Sequence, residues 1–191
     1  MPLILHPILG FVGALVSGVA LWVRGPALLS GILVGMTNLY IIVILIEGAL
    51  RAGKPRKYVD GVPQPTEKVL FEMPNPIWNF LQLLFIVFIV VTGFANMYLE
   101  QGGVHYAGAA EVVQQEISNE SANANPPIPH PILTGRLDAV YYSMVTVVTL
   151  GYGDFVPTTE GARKLVIWEL TSGLLVLIGA FPLLISRLAL T

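Results

Sequence analysis

Residues 146–157 read TVVTLGYGDFVP. What could do chemistry here is main chain rather than side chain. In Thr149, Leu150, Gly151, Tyr152 and Gly153, two glycines alternate with larger residues. A cation stripped of its water needs oxygen ligands. Successive backbone carbonyls supply them if all turn to one side, which requires backbone conformations that alternate along the chain. Ordinary residues resist this alternation, and glycine accepts it at little steric cost. Thr149 adds a hydroxyl beneath the carbonyls. One strand forms only one side of each cage, and the sequence holds a single copy. Identical chains must therefore converge on a common axis, as a homo-oligomer with rotational symmetry.

Other chemistries find little support. The chain has no cysteine, which excludes disulfides and thiolate chemistry. His6, His105 and His130 are scattered without ligand spacing. A net charge of −2 gives no reason to expect a nucleic-acid partner. "GYGD" also fits the G-x-G-D pattern of intramembrane aspartyl proteases, where two carboxylates share a proton to activate water. The aspartates are Asp60, Asp138 and Asp154. Neither Asp60 nor Asp138 falls on a second spanning segment facing Asp154, so the reading is of a non-enzyme without cofactor.

The elements that position the stretch follow from composition. With 54% hydrophobic and 12% charged residues, the chain carries more apolar surface than a soluble domain of this size can hide. A membrane span needs about 20 apolar residues. Segments 3–23, 27–46, 77–99 and 165–188 qualify. Arg24-Gly25-Pro26 makes residues 1–50 a hairpin. A signal peptide is disfavoured, since there is no basic start and the hairpin follows at once. The linker at 51–76 carries Arg51, Lys54, Arg56, Lys57 and Lys68, whereas 100–134 holds acids and no Lys or Arg. Basic loops stay inside, which puts the linker and both termini in the cytoplasm. Arg163 and Lys164 then lie outside, against the trend. Prolines keep the linker from being one helix, and "TEKVLFEM" is a candidate amphipathic piece on the inner surface. The stretch SNESANANPPIPHP reads as a loop, with Asn119 in a glycosylation pattern. The apolar run 137–148 is too short to span and leads into glycine-rich chain. A helix that dips in and returns as extended backbone fits it, and such backbone needs protein or water around it. The helix would aim its negative end at the axis, favouring cations.

"TLGYGD" resembles the selectivity-filter signature of potassium channels, in which four such loops surround the ion. "YYSMVTVVTLGYGDFVPTTEGARK" is similar to the pore segment of bacterial two-helix and voltage-gated potassium channels, and the likeness runs from about 138 to 186. It implies an all-α membrane protein: four transmembrane helices plus a re-entrant pore helix and filter loop, in a homotetrameric pore passing K+ across the plasma membrane. The pore domain would be 77–191: outer helix 77–99, external loop 100–134, pore helix 136–148, filter 149–153 and inner helix 163–188. Thr149, Leu150, Gly151 and Tyr152 would hold K+, and Gly153 would close the outer mouth. Tyr141 and Tyr142 replace a tryptophan pair in an aromatic cuff around Tyr152. Asp154 would sit behind the mouth, within reach of the Tyr141 hydroxyl. Leu150 replaces the commoner valine. Val145 stands where some relatives have a buried glutamate, and Val148 where many have a threonine. These departures bear on filter stability and inactivation more than on selectivity. Gly173 matches the inner-helix hinge and Pro182 the second proline of a kink. Leu174, Leu177, Ile178 and Phe181 would line an apolar cavity that Phe181 closes by dewetting. Each has a plainer alternative: a packing glycine, a helix end, a lipid-facing stripe.

Glu169 lies inside the last span, where a charge costs about 2.5–3.5 kcal/mol. Two readings stay open: support behind the pore helix, or hydration near the external interface. Thr37 and Asn38 suggest interhelical hydrogen bonds. No arginine repeats every third residue, so a voltage sensor of the usual kind is not expected. The hairpin reads as an accessory touching lipid or a partner. A nonselective cation channel would replace Tyr152 with a smaller or acidic residue, and a one-chain transporter subunit would carry four pore loops. Gating would come from membrane, linker or pore, or from a regulatory domain outside this sequence.

Overall fold

The computed structural model describes residues 5–52, 58–59, 62–63, 76–107 and 132–180. In chain order these form α1 (Leu5–Val23), α2 (Ala27–Ala52), β1 (Tyr58–Val59), β2 (Val62–Pro63), α3 (Pro76–Gln101), β3 (Val104–Tyr106), α4 (Arg136–Val147), β4 (Phe155–Pro157) and α5 (Glu160–Leu174). A π-helical segment, Leu175–Ala180, continues α5.

The first two helices reverse at Arg24, whose φ of 53° is left-handed. The Gly25 N–H donates to the Ala20 carbonyl at 2.7 Å and closes the end of α1. At the start of α2 the Glu100 carboxylate accepts the Ala27 N–H, which places negative charge at the positive end of the helix.

The hairpin is fastened to α3. Phe11 meets Phe85 edge to face, with centroids 5.7 Å apart. The Ser17 and Thr92 hydroxyls share a hydrogen bond of 2.7 Å. Asn96 Nδ2 donates to the Gly25 carbonyl at 2.8 Å and to Ser30 Oγ at 3.0 Å. Small polar residues at such crossings let helices approach and bond where water is scarce. Phe94, Ala95 and Tyr98 of α3, Ala139 of α4 and Ala162 of α5 form the common core.

Among the described residues, two helical stretches are long and apolar enough to cross a membrane: Ala27–Ile46 and Phe80–Gln101. Their burial differs sharply, at 17% against 56%. Leu28, Ile32, Met36, Leu39 and Ile46 stand exposed along α2. An apolar helix that buries so little of itself is suited to lipid, not to the core of a soluble domain. Of the other two expected crossings, 3–23 corresponds to α1, with an apolar run of Ile8–Val23, and 165–188 is described only to 180.

The all-α expectation needs one correction. Two antiparallel ribbons, β1–β2 in the linker and β3–β4 beside α4, accompany the helices. The second arises because the chain leaving α3 and the chain leaving residues 149–153 run side by side with unpaired main-chain groups, which satisfy each other. Most of the linker and loop expectations, including "TEKVLFEM" and Asn119, lie outside the described residues.

Candidate functional site

At 1.5 Å per residue, α4 is about 18 Å long, too short to cross a bilayer. It packs against α3 and α5. Its last helical residue is Val147, one short of the expected 148, and Val148 caps it by donating its N–H to Met144 O at 3.1 Å. The next two amides hang from the same helix end. Thr149 N–H donates to Thr146 O and Leu150 N–H to Val145 O, both at 2.9 Å.

From there the backbone alternates. Thr149, Gly151 and Gly153 have φ of 58°, 53° and 79°, whereas Leu150 and Tyr152 stay on the ordinary side. For the glycines this is undemanding. For Thr149 it is not, because a β-branched residue at positive φ is a genuine outlier and persists only where the surroundings hold it. The two amide bonds to the end of α4 do that. Residue type alone concealed this: Thr149 looked like a hydroxyl donor, and it is also the first reversed residue of the series. All of 149–153 is exposed in the single chain, with Leu150 at 59% and Tyr152 at 67%.

Around the stretch lies a ring of aromatic side chains. The Tyr152 ring lies parallel to that of Tyr141 at 6.5 Å. Phe155 meets both Tyr141 and Tyr142 at 6.2 Å and Tyr106 at 5.4 Å. Tyr142 meets Tyr98 at 4.9 Å. Tyr98 and Phe155 escaped sequence reasoning because their partners are distant in the chain. The Tyr141 hydroxyl faces the Asp154 carboxylate across the outer end of the stretch. Asp154 Oδ1 also accepts the Phe155 N–H at 3.1 Å. β3 sews the exit of the stretch to the end of α3: Ala107 N–H bonds Asp154 O at 2.6 Å and Thr158 N–H bonds Gly103 O at 2.8 Å.

Behind α4, Glu169 of α5 is fully buried. Tyr98 Oη donates to its Oε2 at 2.7 Å, and Ser143 Oγ contacts its Oε1. Ser143 belongs to α4 and also reaches the Val91 carbonyl of α3 at 3.0 Å. One carboxyl thus ties three helices together. Val145 is buried as well, two residues along α4 from Ser143.

Gly173 is a close-approach glycine. A Cβ there would stand 2.7 Å from the Val147 carbonyl oxygen. Gly173→Ala must push α5 away from the end of α4 and is expected to destabilise the fold by about 1–3 kcal/mol. Thermal unfolding in detergent, against the parent, measures it; an unchanged midpoint would refute the contact. Past Gly173, Leu174, Leu177 and Ile178 are exposed. Phe181 and Pro182 lie outside the described residues. The interhelical role expected of Asn38 corresponds to a bond to Ser172, while Thr37 instead bonds the Leu33 carbonyl of its own helix. Among the described residues no group of three His, Cys, Asp or Glu could hold a metal ion.

No curated protein and no solved structure matches the chain. Residues 132–189, which hold α4, the alternating stretch, β4 and α5, match the family model described as "Ion channel".

Proposed function

We propose that this chain is one subunit of a K+-selective channel, with residues 149–153 of four copies forming the filter in a cell membrane. The observation that carries the reading is the alternation of φ at Thr149, Gly151 and Gly153 directly after a short helix. Alternating reversed residues turn successive carbonyls toward one side, which is what a column of dehydrated cations requires. Exposure of this stretch in a single chain fits a site that other copies complete. The end of α4 points its partial negative charge toward the same place. On this reading Thr149, Leu150, Gly151 and Tyr152 contribute the K+ sites, and the aromatic ring sets their diameter by holding Tyr152 back.

The test is purified protein in liposomes carrying a K+ gradient. The expected result is a current that reverses near the K+ equilibrium potential and loses at least tenfold in permeability when Na+ replaces K+. A reversal potential indifferent to that replacement would leave a nonselective cation channel on the same scaffold. A second prediction concerns the cuff. Tyr141→Phe keeps the ring and removes the hydroxyl that faces Asp154. It is expected to hasten current decay severalfold during sustained conduction while the reversal potential stays put. An unchanged decay would show that Asp154 is held without Tyr141.

A further inference from the structure

The hairpin has no part in ion coordination, yet its second helix holds the inner helix at two points. Asn38 Nδ2 of α2 donates to Ser172 Oγ at 2.8 Å, and Ser172 donates on to Trp168 O at 2.9 Å. Two turns further on, Leu45 of α2 fills the space left by Gly179, where a Cβ would stand 2.6 Å from Leu45 Cδ1. The winding changes after the first grip, and the second falls inside the changed stretch, since Leu175–Ala180 is π-helical and contains Gly179. π segments are rare, and where they interrupt α-helices they often mark functional sites. A return to α winding would rotate Gly179 about the helix axis relative to Ser172, since the residues per turn would fall back to about 3.6.

The two ends of this inner helix are held by different partners. Up to Gly173, α5 is bound to α4 and α3 through Glu169, Ser143 and Tyr98 and through the Val147 carbonyl, and to α2 by the single Asn38–Ser172 bond. Beyond Gly173 its buried contacts are shared by α2 and α3: Val176 packs with Ile41 of α2 and Ile86 of α3, and Gly179 meets Leu45 of α2. Asn38 Oδ1 is buried without a hydrogen-bond partner among the described residues. An unpaired buried acceptor costs free energy, so an arrangement that satisfies it competes with the one described.

We infer that α2 is the gating arm of the pore, acting on the inner helix through Asn38–Ser172, just before the π segment, and Leu45–Gly179, within it, with that segment as the element that changes. The inference rests on the channel reading. It assigns the N-terminal hairpin a task in opening and closing.

The absence of cysteine makes a direct test clean. In the double variant Leu45→Cys and Gly179→Cys, the thiol at 45 takes the place of Leu45 Cγ, 3.1 Å from where a Cβ at 179 stands, which is within reach of a disulfide. Single-channel recording in bilayers is expected to show at least a tenfold loss of opening and closing events on oxidation. Unitary conductance and K+ reversal potential stay unchanged, and a reductant restores gating. A cross-linked channel that gates as freely as the reduced one would overturn the inference. Should the pair fail to assemble, Asn38→Leu and Ser172→Ala serve instead. Each is expected to shift the open-to-closed ratio about fivefold, the factor one hydrogen bond supplies, and the double variant no further than either alone. Independent, additive shifts, or none, would count against the arm. If the unmodified protein carries no K+ current, the channel reading fails and the arm with it.

Discussion

Gly151→Ala is expected to abolish K+ flux while leaving the helices folded. Gly151 has φ of 53° and nothing within 4 Å of where its Cβ would stand. The single chain therefore has room for a methyl group. What alanine lacks is the backbone preference. Holding an L-residue in the left-handed region costs roughly 1–2 kcal/mol. In a ring of four chains, if all must adopt it together, the total is about 4–8 kcal/mol. The alternative is for each chain to relax to negative φ, which turns a carbonyl away from the axis and breaks the column. Either outcome removes the cage. Flux from K+-loaded liposomes should fall at least a hundredfold, with an unfolding midpoint close to the parent's. Leu150→Val is the control at the neighbouring position: its φ is ordinary, so flux should stay within about twofold. Parental flux in Gly151→Ala would mean that the carbonyl alternation is not what conducts.

Legibility followed sequence distance. The local signals could be read directly: apolar runs for α2 and α3, the break at Arg24-Gly25-Pro26, the short helix before the glycines. Each depends on residues within one turn or one span. What the sequence withheld was pairing across the chain. β3 and β4 are separated by the whole 107–154 stretch, and neither three-residue segment has a strand pattern of its own. Phe155 gave no sign that it would meet three tyrosines. The left-handed conformation of Thr149 was opaque, because propensity argues against it and only the surroundings impose it. The π segment was invisible for a similar reason. Gly173 and Pro182 stand out as helix breakers, yet the winding changes just past Gly173, where Val176 and Gly179 pack on Ile41 and Leu45 of α2.

Glu169 shows how such a long-range pairing can be tested. Counting protons across its contacts gives an uneven sum. Tyr98 and Ser143 each bring one hydroxyl proton, and three acceptors stand before them: both carboxyl oxygens and the Val91 carbonyl. A hydroxyl donates once. If Ser143 gives its proton to Val91 O, its contact with Glu169 Oε1 needs a proton from the carboxyl side. The set closes when Glu169 is the donor there and Tyr98 donates to Oε2. Glutamine can copy that pattern, with its amide N–H toward Ser143 and its carbonyl toward Tyr98. Leucine can copy none of it. Glu169→Leu leaves the Tyr98 hydroxyl buried without a partner and releases α5 from Ser143, at a cost of about 2–4 kcal/mol. Added apolar area offsets little of this, because removing one member of a buried polar set strands the others. Since Ser143 lies on the helix whose end carries Thr149 and Leu150, the loosening should reach the proposed ion path. The expected result is a lowered unfolding midpoint and K+ current that decays within a recording for Glu169→Leu, with Glu169→Gln close to the parent in both. If glutamine proves as damaging as leucine, the carboxyl is not the shared-proton tie described here. If both variants match the parent, Glu169 does not support α4 at all.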